Sequence, residues 1–252
     1  MDEGECKSSP SSCVVIGETL FSFLGGIMVG SGAHAMPLST ILSTMLGGLG
    51  TAGIIFVVAL VGSLPLGIIV ALCRMSKFKP LAFLARIYIS FLRGTPLVLQ
   101  LMFIFFAPYY IFGVKITIAW RMGACLIGFI LNYAAYFAEI YRSGIQSIPP
   151  GQYEAAQVLG YSKSQTFLKI VLPQVIKRIT PAMGNEIITL VKDTSLAFVL
   201  SIAEMFTQAE TLAAAMVSMI PYVIAAALYW FFTLIIEFLL GKFEKKLDYY
   251  HD

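Results

Sequence analysis

Between residues 179 and 205 a mostly apolar stretch is interrupted by Glu186, Lys192 and Asp193. An ionisable side chain inside a membrane span costs roughly 3 kcal/mol on insertion scales and usually faces a polar interior. Glu186 and Asp193 are seven positions apart, hence on one helix face, with Leu190 between them. Their carboxylates could receive a ligand's ammonium group, while Lys192, Thr194 and Ser195 could meet a carboxylate. Asn132 and Tyr136, one turn apart in another apolar stretch, could line the same path. A structural network between helices is the competing explanation. Glu139 and Arg142, at the edge of that second stretch, read as a local ion pair at the interface.

A second constellation is polar and lies between apolar runs: Glu154-Ala155-Ala156, then Gly160-Tyr161, then Ile170-x-Leu172-Pro173. Pro149-Pro150-Gly151 breaks the preceding helix, and Pro150 can open a new one because its missing N–H costs nothing in a first turn. Glu154 is then expected near the positive end of the helix dipole. Ala155 and Ala156 are helix formers of little bulk, so another backbone can come close. Gly160 can take the left-handed conformation that ends a helix. Ser162-Lys163-Ser164-Gln165 has capping-box spacing and starts another, which Pro173 is expected to close or kink. The outcome would be a rigid knob of helix, sharp turn and helix. Without its long spacing the same stretch would read as an ordinary amphipathic hairpin.

Other chemistry finds little support. The only histidines are His34 and His251, which excludes a histidine-based metal or catalytic site. Cys6, Cys13, Cys73 and Cys125 lack metal-ligand spacing and read as small hydrophobes. Gly48-x-Gly50-x-x-Gly53 matches a dinucleotide fingerprint, but no strand precedes it and an apolar helix follows. Close helix packing explains it better, as it does Gly26-x-x-x-Gly30. No Gly-x-x-x-x-Gly-Lys-Ser/Thr occurs, so ATP is not bound through a P-loop here. No metal, cofactor or catalytic residue is expected in this chain.

The elements that must position these residues are membrane helices. Of the 252 residues 58% are hydrophobic and only 12% charged, with a mean hydropathy of +0.84. Soluble domains carry about twice that charge, so lipid is the solvent. A span needs about 20 mostly apolar residues. Residues 50–73, 94–114, 122–138 (extending toward 141) and 211–236 meet this without a charge, and 179–205 is the fifth, read as a broken helix with functional charge. Residues 13–30 are apolar around Glu18 and admit an interfacial helix, a further span or a signal-like segment ending at Ala33-His34-Ala35. Cleavage is disfavoured because the segment before it is acidic, Asp2, Glu3 and Glu5 outweighing Lys7, and lacks the usual positive charge.

Lys and Arg placement sets the topology. Arg74, Lys77, Lys79, Arg86 and Arg93 follow the first span, and Arg142, Lys163, Lys169, Lys177 and Arg178 surround the knob. Lys242, Lys245 and Lys246 lie in the tail, whereas only Lys115 and Arg121 lie on the other side and none between 204 and 211. The knob and C-terminus are therefore expected in the cytoplasm, and with five spans the N-terminus outside.

The Glu154–Pro173 spacing resembles the EAA loop of ABC-transporter permease subunits. Arg93-Gly94-Thr95-Pro96-Leu97, Ala138-Glu139-Ile140-Tyr141-Arg142-Ser143-Gly144-Ile145-Gln146 and Leu190-Val191-Lys192-Asp193-Thr194-Ser195-Leu196 are similar to segments of their polar amino-acid uptake branch. The likeness runs from about residue 45 to 246, leaving residues 1–40 as a separate N-terminal segment and 41–247 as one transmembrane domain with a coupling loop at about 146–176. It implies an all-α, type I ABC-importer-like permease with five core transmembrane helices, in a bacterial plasma membrane. Glu154, Ala155, Ala156, Gly160 and Tyr161 would engage ABC ATPase subunits. A second permease subunit, identical or a close relative, and an extracytoplasmic substrate-binding protein complete the implied machine. From a different class, an ion-coupled secondary transporter or channel would use Glu186 and Asp193 without any ATPase, and should carry two matching halves that the hydropathy lacks.

Overall fold

The structure, a computed structural model, describes residues 26–29 and 35–247. The expected features at Cys6, Cys13, Gly30, Ala33-His34 and His251, and most of the segment 13–30, lie outside these residues. A two-residue antiparallel ladder, β1 (Met28–Val29) with β2 (Met36–Pro37), leads into the helices. These are α1 (Leu38–Arg74), α2 (Lys79–Gly94), α3 (Leu97–Phe112), α4 (Ile118–Gln146), α5 (Pro150–Val158), α6 (Lys163–Thr166), α7 (Leu172–Asp193), α8 (Met205–Met216) and α9 (Ile220–Leu247). A π-helical turn, Phe167–Val171, joins α6 to α7, and a 3₁₀ turn, Thr194–Leu200, follows α7.

The five expected spans overlap α1, α3, α4, α7 and α9, but α7, with its charges, is not apolar enough to qualify as a span by length and composition. Of these α1, α4 and α9 are long and apolar enough to cross a membrane alone, and α3 qualifies together with α2 as a pair bent by 112°. Side chains of α1, α3, α4, α7 and the 3₁₀ turn meet in one core, with Ile55, Leu101, Phe129, Tyr133, Phe137 and Leu190 almost fully enclosed. Between helices in lipid the drive is close van der Waals packing rather than escape from water. Gly48 takes this to its limit. A Cβ there would lie 2.7 Å from Met205 Cα, so α8 rests directly on the α1 backbone. Gly50 and Gly53, read from sequence as part of the same packing pattern, face open space.

Several expected boundaries move, each for a physical reason. The first span begins at Leu38 rather than Gly50, because residues 38–49 contain no charge and no proline, and Gly47 and Gly48 are absorbed into the helix, the latter by packing. The basic loop after it is largely helical, as α2, and the next span starts only after Thr95-Pro96, Pro96 lacking the N–H that would continue α2. The uninterrupted span expected over 211–236 is two helices. Val217 turns left-handed (φ 48°) and Pro221 fits only the first turn of a new helix, yet both residues are apolar and leave hydropathy unchanged. The external loop expected at 204–211 is instead the start of α8. The stretch at 179–205 breaks as expected, at the α-to-3₁₀ change after Asp193 and the left-handed Ser201 (φ 53°).

Candidate coupling loop and polar pathway

Pro149 is extended and Pro150 opens α5, as its fixed φ favours. The helix ends with Leu159 N–H donating to Ala155 O (3.1 Å) and Gly160 N–H to Gln157 O (3.0 Å). Gly160 then adopts φ 77°, and Tyr161 N–H closes back on Ala156 O at 3.0 Å. Ser162 begins α6 with a reciprocal cap: its hydroxyl accepts from Gln165 N–H, and its own N–H donates to Gln165 Oε1 at 2.9 Å. Every expected local device is present except two. Glu154 sits past the first turn of α5, where the helix dipole has little left to offer. Pro173, expected to close or kink the helix, does not close it: a π turn just before it shifts the hydrogen-bond ladder (Leu172 N–H to Phe167 O) and the helix runs on as α7.

The knob is fastened at its base and bare at its tip. Ile148, Val171 and Val175 form a buried cluster joining the end of α4 to the start of α7. The Arg178 guanidinium donates to Ser147 O, and Gln174 Nε2 donates to Gln152 Oε1 at 3.3 Å. Ala156 is 1% exposed, whereas Val158 and Leu159 are 88% and 73% exposed. Glu154 and Ala155 are exposed, and Tyr161 is partly so, with Lys169 Nζ 6.0 Å from its ring.

The polar residues of the spans fall into two groups. Asp193 Oδ2 accepts from the Tyr133 hydroxyl at 2.7 Å, and Asp193 and Arg93 both lie within electrostatic reach of Glu186. Arg93 covers the Tyr136 ring at 5.2 Å. Glu186, Asp193 and Tyr136 thus converge, joined by Tyr133 and Arg93, which sequence reasoning had not placed there. Lys192 points outward, exposed. Buried Thr194 donates its hydroxyl to Val191 O (2.7 Å) and Ser195 donates to Lys192 O (2.8 Å), both serving the carbonyls at the end of α7.

Asn132 belongs to the second group. Its amide donates to Gln100 Oε1 (2.9 Å) and Leu92 O (3.2 Å), while Gln100 Nε2 donates to Leu92 O (2.8 Å) and Thr95 Oγ1 (2.9 Å). This pair of carboxamides fills the sharp bend between α2 and α3. Glu139 and Arg142 do form the expected local ion pair. A further buried carboxylate, Glu204, caps α8 by accepting from Phe206 and Thr207 N–H (both 2.7 Å) and from the Tyr229 hydroxyl (3.0 Å). Its signal in the sequence was an acid directly before the helix start at Met205, three residues ahead of Thr207.

Comparison with known proteins places these features in context. The family described as binding-protein-dependent transport system inner membrane component matches residues 63–249. The arginine transport system permease protein ArtQ of Bacillus subtilis (strain 168) is 39% identical over 78% of this chain and 89% of its own length. The L-cystine transport system permease protein TcyB of the same organism is 37% identical over 73% and 78%. A crystal structure of an amino acid ABC transporter with histidines superposes with a TM-score of 0.74 at 34% identity, covering 81% of this chain and 94% of that one. The methionine transporter MetNI, in an inward-facing form, shares the fold at 17% identity with a TM-score of 0.61, over 82% of this chain and 95% of its own.

Proposed function

Since the chain belongs to the binding-protein-dependent transport system inner membrane components, we propose that it is the permease subunit of an ATP-driven importer for a polar amino acid. The relatives named for arginine and cystine transport support that substrate class. The single feature that carries the coupling role is the knob: a rigid cytoplasmic helix pair whose tip offers Val158 and Leu159 to a partner. Glu154, Ala155, Ala156, Gly160 and Tyr161 form the surface on which an ABC ATPase docks. ATPase closure displaces α5, and the clamped base passes the displacement into α7. That helix is continuous from Leu172 to Asp193, about 33 Å at 1.5 Å per residue. Its far end carries Glu186 and Asp193, so a push at the knob re-aims the carboxylates of the pathway.

In the pathway, Glu186 and Asp193 receive the substrate's ammonium group. Tyr133 and Tyr136 hold the carboxylates and the Arg93 guanidinium in register, while Lys192, Thr194 and Ser195 stand where α7 gives way to the 3₁₀ turn. Asn132 acts on this path through the bend it braces. A second permease subunit beside this one and an extracytoplasmic binding protein above it complete the assembly, with knob and C-terminus in the cytoplasm and the N-terminus outside. The family assignment disfavours the ion-coupled alternative. Reconstitution in liposomes tests the reading: amino-acid flux should require the ATPase, ATP and the binding protein together, and flux carried by this chain alone would overturn it.

A further inference from the structure

α2 is not needed by the coupling loop, yet it is unusually built. Advancing about 100° per residue, its side chains divide into three arcs. Ala85, Ile89 and Leu92 are buried, the last two against Ala71 of α1 and Ala135 and Ala138 of α4. Leu81, Leu84, Ile87 and Phe91 form a second arc, all exposed, with Leu84 and Phe91 above 60%. Lys79, Arg86 and Ser90 form the third, also exposed, with Phe83 beside them, and Arg93 at its edge turns to Tyr136 of α4. A helix spanning lipid needs two environments, protein and hydrocarbon; three arcs fit a helix lying in the interface, with headgroups as the third.

Two independent observations fit that placement. The axis of α2 turns by 112° from that of α3, so if α3 crosses the membrane α2 lies close to its plane. Its depth is set by packing against α4 near Tyr141 and by the electrostatic reach of Arg93 and Arg74 to Glu139, at the end of α4 next to the knob. Charge supplies the second. The sequence has no Asp or Glu between Glu18 and Glu139, and among the described residues Lys77, Lys79 and Arg86 enter no ion pair. With no carboxylate among the described residues paired to them, they are available to an external anion.

We propose that α2 and the turn before it form a binding surface for anionic phospholipids, Lys77, Lys79 and Arg86 holding headgroup phosphates while Leu84, Ile87 and Phe91 lie along the acyl chains. The surface goes beyond the transport reading and depends on it only for the leaflet, the one facing the knob. Each cation near an anionic surface contributes about fivefold in affinity, ~1 kcal/mol.

Native mass spectrometry of the purified full chain in detergent tests this, with phosphatidylglycerol, phosphatidylcholine and water-soluble glycerophosphoglycerol as probes. Phosphatidylglycerol should be retained over phosphatidylcholine. Arg86→Gln should weaken that preference about fivefold, and the combined K77Q, K79Q, R86Q variant should abolish it while the thermal unfolding midpoint stays put. Should the combined variant fail to fold, Arg86→Gln alone decides. Equal retention of the two lipids, or a preference unchanged in Arg86→Gln, overturns the proposal. So does tight binding of glycerophosphoglycerol, since a site content without acyl chains is not a membrane surface. No ATPase or amino acid enters the assay, so its failure would leave the transport reading untouched.

Discussion

Gly160 and Gly48 carry opposite kinds of constraint, and substitution separates them. At Gly160 the backbone is left-handed but a Cβ would meet nothing within 4 Å. Gly160→Val therefore costs ~1–2 kcal/mol in the turn alone, more for a branched side chain, and leaves the membrane helices undisturbed. Membrane insertion should be normal while substrate moved per ATP hydrolysed falls; unchanged coupling would count against a role for the turn. At Gly48 the conformation is ordinary and the obstacle is backbone, with Met205 N at 2.8 Å from the Cβ position. Gly48→Ala should lower the unfolding midpoint in detergent by an amount matching ~1–3 kcal/mol, whereas Gly50→Ala, which meets nothing, should not. The sequence presents both glycines in one motif, and only the position of Met205, some 160 residues away, distinguishes them.

Among the elements, the bend between α2 and α3 shows how a buried polar pair can be read in two ways. From sequence, Asn132 faces a pathway; in the fold its amide braces the bend together with Gln100. Asn132→Leu leaves Gln100 Oε1 without its donor and should destabilise by ~1–2 kcal/mol, the upper end for hydrogen bonds within membranes. Because Arg93 follows Leu92 directly, the same variant should also raise the KM for transport, and Asn132→Gln should restore part of it; a stability loss with KM unmoved would confine Asn132 to scaffolding. Local devices were legible in the sequence wherever one residue dictates one conformation: Pro150, Gly160, and the Ser162–Gln165 cap. Helix ends hidden inside apolar runs were not. Val217 and Pro221 break a helix without altering hydropathy, and α2 reads as a basic loop when Lys79, Arg86 and Arg93 are taken only as topology signals, although their seven-residue spacing is helical. The pairing of Asp193 with Tyr133 spans sixty positions and has no local signature.

At the scale of the molecule, α7 runs from the knob's base to the polar cluster beside α4, which carries Tyr133 and ends against the same base. Its base is gripped by Ile148, Val171 and Val175, its far end by Tyr133 and by the enclosed Leu190. Held at both levels and continuous through Pro181, where one backbone hydrogen bond is missing, α7 links the two ends in a way that suits a rigid-body switch between two access states. The mechanism requires knob and turn to lie on opposite sides of the membrane. Val158 at the knob and Val217 at the α8–α9 turn, 88% and 79% exposed, are fit to report this. In a background with Cys6, Cys13, Cys73 and Cys125 replaced by serine, Val217→Cys should react with an impermeant maleimide added to intact cells. Val158→Cys should react only in inverted vesicles, and less once the ATPase is bound. Labelling of Val158→Cys from outside would leave α7 with no motor to drive it.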